Sequence, residues 1–230
     1  MLKWIILGIV FLLLPFKWKL ILILIGCVFI YMLKWRPEFR EDGFLLFFGL
    51  PGAGKTTALA YMINCFLRRK NIDVFCNVSM KGAYKIDRSD LGVFDTHVDK
   101  DYAFVAFDEG SIAYWKRDFN RFSADENSYH TYHRHYKSME AFFCQTWDGI
   151  DLRLRELNSD LYYVSSFNLP IIGKIILIRT IDKSFDIKEG QPMDGYKFSG
   201  LPRWFPARPL FKYFDTYAAP ELRHKDWNKW

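Results

Sequence analysis

Gly43-Phe-Leu-Leu-Phe-Phe-Gly49-Leu-Pro-Gly52-Ala-Gly54-Lys55-Thr56-Thr57 is the stretch that decides the fold. Its first half is an unbroken apolar run, the pattern of a short strand buried on both faces. The second half satisfies G-x-x-x-x-G-K-[ST] at every fixed position, and the composition from Ala58 to Arg69 favours a helix. Strand, glycine loop and helix in that order make a phosphate cradle, because glycines let backbone N–H groups curl around an anion at a helix N-terminus. The ligand that suits it is ATP with Mg²⁺, bound by Gly49, Gly52, Gly54, Lys55, Thr56 and Thr57. Charge and reach assign Lys55 to the β- and γ-phosphates, and the Thr56 hydroxyl to Mg²⁺.

Two more strand ends carry chemistry. Tyr102-Ala-Phe-Val-Ala-Phe-Asp108-Glu109 is an apolar strand closed by two carboxylates. Asp108 is placed to hold Mg²⁺ through its water shell, and Glu109 to orient and deprotonate an attacking water. A solvated acidic turn is the plainer alternative. Ala141-Phe-Phe-Cys-Gln145 ends in an amide that could sense a γ-phosphate or position water, although many strands end in a polar residue. Further strands are expected near Val74–Asn77 and Leu161–Ser165. The alternation of strands with helical or irregular crossovers predicts an α/β fold, a P-loop NTPase with a central parallel sheet covered by helices on both faces. Ligands of such sheets lie at the carboxyl ends of the strands, where all three polar ends fall.

At 230 residues the chain has room for one sizeable domain and an appendage. Half of it is hydrophobic and 19% aromatic, and much of that apolar content is concentrated at the start. Trp4 to Phe16 and Leu20 to Leu33 are two apolar runs separated by Lys17-Trp18-Lys19. A spanning helix needs about 20 apolar residues, so two arrangements stay open: one transmembrane helix centred on the second run, or a helical hairpin turning at Pro15 to Lys19. Lys34, Arg36 and Arg40 follow closely and place the downstream domain in the cytoplasm. A signal peptide is disfavoured because no small-x-small cleavage site follows Leu33. The resulting division is residues 1–36 as membrane anchor, 37–189 as ATPase domain and 190–230 as an irregular extension packed on that domain. The net charge of +6 suits nucleic acid or an anionic lipid surface. Cys27, Cys65, Cys76 and Cys144 lack paired spacing and read as free thiols in a reducing compartment.

The P-loop, the Asp108-Glu109 strand end, the segment His133-Arg134-His135-Tyr136 and the run Gln145-Thr-Trp-Asp-Gly-Ile-Asp-Leu-Arg153-Leu-Arg155-Glu-Leu together resemble the zonular occludens toxin family, which includes filamentous-phage assembly ATPases of the FtsK-HerA class. The similarity spans roughly Phe44 to Leu169, and Phe211-Lys-Tyr-Phe-Asp-Thr-Tyr looks similar too. The P-loop is common to many proteins, so the segment from His133 to Leu157 discriminates. The resemblance implies an ATP hydrolase in the host inner membrane, with its ATPase domain in the cytoplasm. It would assemble and extrude a phage carrying single-stranded DNA, and its implied partners are further copies of itself in a homo-oligomeric ring, single-stranded DNA or the nascent virion, and a phage coat protein. Lys55, Glu109 and Gln145 become catalytic residues, and Arg155, with Arg153 second, a finger reaching a neighbouring subunit's γ-phosphate. Without the resemblance either arginine reads as a helix residue paired with Asp151 or Glu156. One departure stands out: the better-known members carry their membrane span after the ATPase domain, whereas the apolar runs here precede it. A nucleotide-regulated membrane scaffold and a viral DNA-packaging ATPase are the competing functions.

Two constellations carry less. His130, His133 and His135 lack a carboxylate or cysteine at metal-site spacing. Tyr114, Trp115, Phe119 and Phe122, interleaved with Lys116, Arg117 and Arg121, suit either a base-stacking loop or an interface loop.

Overall fold

Phe44–Phe48 (β1) is buried at every residue, as a run with no polar face requires, and it occupies the interior of an eight-stranded sheet. The computed structural model describes residues 16–69, 71–110, 123–147, 150–170, 172–182 and 197–214. Around β1 run helix Phe16–Met32 (α1), helix Lys55–Leu67 (α2), strands Ile72–Cys76 (β2), Tyr84–Lys85 (β3) and Tyr102–Phe107 (β4), and helix Ala124–Tyr132 (α3). Strand Ser138–Cys144 (β5), helix Leu152–Leu157 (α4) and strands Asp160–Leu169 (β6), Gly173–Ile181 (β7) and Phe198–Pro206 (β8) follow.

The sheet order is β3-β2-β4-β5-β1-β6-β7-β8. Strands β3 through β6 are parallel, but β7 pairs antiparallel with β6 and β8 antiparallel with β7. The expected central parallel sheet is thus found, with an antiparallel edge that was not expected. β7 needs no crossover because a short turn returns the chain beside β6, as antiparallel pairing allows. β8 also corrects the expectation that residues 190–230 are irregular. Its Pro202 and Pro206 read as breakers, yet an edge strand tolerates prolines that a central one does not.

Both faces are covered. On one, Leu59, Met62, Ile63 and Phe66 of α2 pack on Phe47, Val74, Phe104 and Phe143. On the other, Phe44, Leu46, Phe48, Phe107 and Phe142 pack with Tyr129 of α3, Leu154 of α4 and Ile150. Alternate residues of β1 serve opposite cores, which is why the run has no polar member. The Phe47 ring is sandwiched between Phe143 at 4.5 Å and Tyr162 at 4.7 Å. Stacking of that kind fixes the register of the strand that delivers the glycine loop.

α1 stands apart from these cores, with Leu20 to Ile25 and Val28 to Met32 exposed. Among the described residues no helix is long and apolar enough to cross a membrane; α1, with 17 residues, is about 25 Å long. Phe16 to Lys19 are helical, so no turn lies there, and residues 4–15 of the first apolar run lie outside the described residues. The border after residue 36 shifts as well. Trp35, assigned to the anchor, is buried in the domain against Phe47, Tyr61 and Phe205. Its N–H donates to the Trp204 carbonyl at 2.8 Å, the Trp204 N–H donates to Leu33 at 3.1 Å, and the Tyr61 hydroxyl of α2 donates to the Trp35 carbonyl at 2.9 Å.

Candidate nucleotide site

The loop between β1 and α2 is shaped by three glycines with different jobs. A Cβ at Gly49 would lie 2.3 Å from the Val164 carbonyl oxygen of β6, so only glycine lets the loop leave β1 so close to its neighbour. Gly52 and Gly54 have φ of +76° and +93°, a region that costs other L-residues about 1–2 kcal/mol. Gly54 also faces Ile176 of β7, whose Cδ1 would lie 2.3 Å from an added Cβ. Gly54 is the N-cap of α2, and its carbonyl accepts from the Ala58 N–H at 2.9 Å. The turn therefore ends with the first N–H groups of α2 available to an anion.

Lys55 and Thr57 are buried at the start of α2. The Lys55 ammonium donates to the carbonyls of Gly49 at 2.9 Å and Leu50 at 3.1 Å. Burial holds its pKa below the ordinary lysine value, and the charge of Asp108 opposes that shift only in part. The Thr56 hydroxyl donates to Asp108 Oδ2 at 2.6 Å, across 52 residues of sequence. Burial pushes the Asp108 carboxyl above its ordinary value despite that bond. A desolvated carboxylate beside a hydroxyl is a hard-oxygen pair that a small divalent cation would satisfy, so the residues fit Mg²⁺. Bound there, the cation would neutralise phosphate charge.

Glu109 follows at the end of β4, exposed and in the left-handed region at φ +51°. A non-glycine residue held there stores strain of the sort found at functional sites. Its position leaves the carboxylate free to meet water. Asn77, which the sequence reading did not single out, braces this turn from the end of β2. Its amide accepts from the Asp108 N–H at 2.7 Å and donates to the Asp108 carbonyl at 2.9 Å. The available signal was an amide one residue past an apolar strand, the same signal that marked Gln145. Gln145 is exposed just beyond β5. Because β5 lies between β4 and β1, with Phe107 level with Phe142 and Phe48 with Cys144, Gln145 emerges between the two carboxylates and the glycine loop. Lys55, Thr56, Asp108, Glu109 and Gln145 thus share one edge of the sheet.

Arg155 is placed differently. It is buried on α4, its guanidinium 5.6 Å from the Trp147 ring centroid, and Trp147 packs in turn on Phe48 at 6.5 Å. In this arrangement its guanidinium is packed within its own chain. Arg153 forms an ion pair with Asp151 at 3.1 Å, the helix-surface pairing that spacing alone allowed. The histidines also resolve into packing: His130 Nδ1 meets Glu140 Oε2 at 2.6 Å with both side chains fully buried, and His133 Nδ1 meets the His130 carbonyl at 2.8 Å. The aromatic and basic loop of residues 114–122 lies outside the described residues.

No protein-family model matches the chain, and no curated protein matches it. Among solved structures, the N-terminal domain of zonular occludens toxin from Neisseria meningitidis aligns over 75% of this chain and 98% of that one, with 16% identity and a TM-score of 0.53. The chain has the fold of that domain. Weaker likenesses are to the genome packaging NTPase B204 from Sulfolobus turreted icosahedral virus 2, at 10% identity and TM-score 0.43 over 57% of this chain and 78% of that one, and to EccC (ATPases 2 and 3) from Thermomonospora curvata, at 13% identity and TM-score 0.43 over 71% and 38%.

Proposed function

We propose that this chain is a membrane-anchored ATPase motor that assembles and extrudes a filamentous, single-stranded DNA phage through the inner membrane of its host. The observation that carries the hydrolytic part is the 2.6 Å bond from Thr56 to Asp108, which joins the P-loop to the acidic strand end at the place a magnesium-bound triphosphate requires. Lys55 and the loop N–H groups bind the phosphates, Thr56 and Asp108 hold the cation, and Glu109 takes the proton of the attacking water. Gln145 positions that water or reads the γ-phosphate. Catalysis of this kind is positioning plus electrostatics, so a rigid sheet edge suits it.

Anchoring is supported by the exposed apolar surface of α1, on which residues 20–32 include no charged side chain. The extrusion role is supported by the resemblance of the His133–Leu157 segment and by the shared fold. A ring of copies and a coat-protein partner belong to the same proposal, as does the finger role of Arg155, which requires its guanidinium to leave Trp147 when subunits associate. The test is ATP turnover of the full chain in lipid vesicles, with circular single-stranded DNA, duplex DNA or neither added. The motor reading expects stimulation by the single strand and flotation of the protein with the vesicles. Stimulation by duplex alone favours a packaging motor, and turnover indifferent to DNA favours a scaffold.

A further inference from the structure

Beside the P-loop stands a cation that the sequence motif does not contain. β6 pairs with β1 only as far as Tyr163 opposite Phe48, and then continues to Leu169, beyond the point where β1 ends. The chain turns and comes back as β7, with Leu169 opposite Gly173 and Asn168 opposite Lys174. The overshooting hairpin is therefore a wall along the glycine loop, on the side away from Asp108. Its closeness is seen in the contacts that Cβ atoms at Gly49 and Gly54 would make with Val164 and Ile176.

From this wall the Lys174 ammonium donates to the Gly52 carbonyl at 2.6 Å. The next N–H, that of Ala53, donates to the Leu50 carbonyl at 3.0 Å. The peptide unit between Gly52 and Ala53 is thus pinned at both ends. Gly52 has φ +76° and nothing within 4 Å of where a Cβ would be, so no side chain at Gly52 could pack to hold its end of that unit in place. A glycine, with no side chain to anchor it, leaves its peptide a wider choice of orientations than other residues do, and the loop N–H groups form an anion nest only when that choice is restricted. Lys55 grips the start of the loop through Gly49 and Leu50, whereas Lys174 grips its crown.

We propose that Lys174 is a positioning residue for the triphosphate: it fixes the crown of the P-loop and adds a second positive charge beside Lys55, and so sets affinity for ATP. The proposal rests on the reading of this loop as an ATP site. Because the restraint and the charge act before chemistry, they stabilise bound substrate and transition state alike, which moves KM and leaves kcat.

The experiment is steady-state ATP hydrolysis and equilibrium ATP binding by the full chain, its Lys174→Ala, Lys174→Arg and Lys174→Gln variants, and Lys55→Ala. Lys174→Ala is expected to raise KM roughly tenfold, in line with loss of a charged hydrogen bond, with kcat within about twofold. Lys174→Arg is expected to restore most of the affinity, and Lys174→Gln, which keeps a donor without the charge, to fall between. Unchanged KM in Lys174→Ala overturns the proposal, whether or not its unfolding temperature without nucleotide falls. A loss confined to kcat overturns it too. If the parent binds ATP no better than Lys55→Ala, the ATP-site reading fails and this inference fails with it; a parent that binds ATP, with Lys174→Ala equal to it, sinks the inference alone.

Discussion

Adding one methyl group at each loop glycine separates backbone strain from crowding. At Gly52 an alanine meets open space but keeps φ +76°, so its cost is the left-handed penalty alone, about 1–2 kcal/mol. At Gly54 the same penalty is joined by a 2.3 Å clash with Ile176 Cδ1. Overpacking of a side-chain tip adds about 1–3 kcal/mol, for a total of about 2–5 kcal/mol. At Gly49 there is no left-handed penalty, but the methyl meets the Val164 backbone oxygen at 2.3 Å. A backbone oxygen in a sheet cannot swing aside, so the cost is at least the upper end of overpacking, about 3 kcal/mol. Thermal unfolding of the full chain in detergent should show the smallest fall for Gly52→Ala, at about 2–4 °C per kcal/mol for a domain of this size. Combining Gly54→Ala with Ile176→Val, which removes the clashing methyl, should recover part of the loss, whereas no single side-chain change should rescue Gly49→Ala. If Gly52→Ala is as costly as Gly49→Ala, or if Ile176→Val gives no relief, the packing of the β6–β7 hairpin on the loop is not as described.

Two further outcomes follow from the same geometry. Burial raises the Asp108 carboxyl above its unfolded value of 3.8, so the folded protein binds that proton more tightly, and stability without nucleotide falls as pH rises through the raised folded value. Asp108→Asn, which can still accept from Thr56, should therefore unfold no earlier than the parent near neutral pH without nucleotide. It should lose the rise in unfolding temperature that Mg²⁺ and ATP give the parent. Trp35→Ala removes a buried ring from the Tyr61–Phe205 stack and should cost about 3–5 kcal/mol, read by denaturant unfolding; a change below about 1 kcal/mol would show that the segment after α1 is not packed as found.

The parts of the fold with a repeating physical signal were legible in the sequence. β1, β4 and the second half of β5 were read because strands buried on both faces give apolar runs, whereas the first half of β5 holds buried Ser138 and Glu140 and was not read; the glycine loop was read because its conformation restricts residue type. β6 was read only in its first half. Its later residues, Phe167 to Leu169, are exposed, so their alternation carries no core pattern. β7 and β8 were missed because their partners are set by a hairpin and an edge, and the prolines of β8 mimic a loop. At the site, residue types were readable but environments were not. Arg155 looks like a surface helix residue until Trp147 is seen beneath it, and the histidine cluster, which the spacing did not support as a metal site, is explained only by Glu140, from the middle of β5, buried against His130. Lys174 and Asn77 act through backbone atoms distant in sequence, a partnership that no local pattern encodes.

On the function proposed above, one sheet edge binds ATP through the loop and breaks it with Glu109. The most direct measurement of this is ATP binding and single-turnover hydrolysis by Glu109→Gln beside the parent. ATP binding is expected to stay within about twofold of the parent and turnover to fall by about 10²–10⁴, the usual worth of a general base. Hydrolysis at the parent rate would contradict that function, and so would failure of the parent itself to retain ATP.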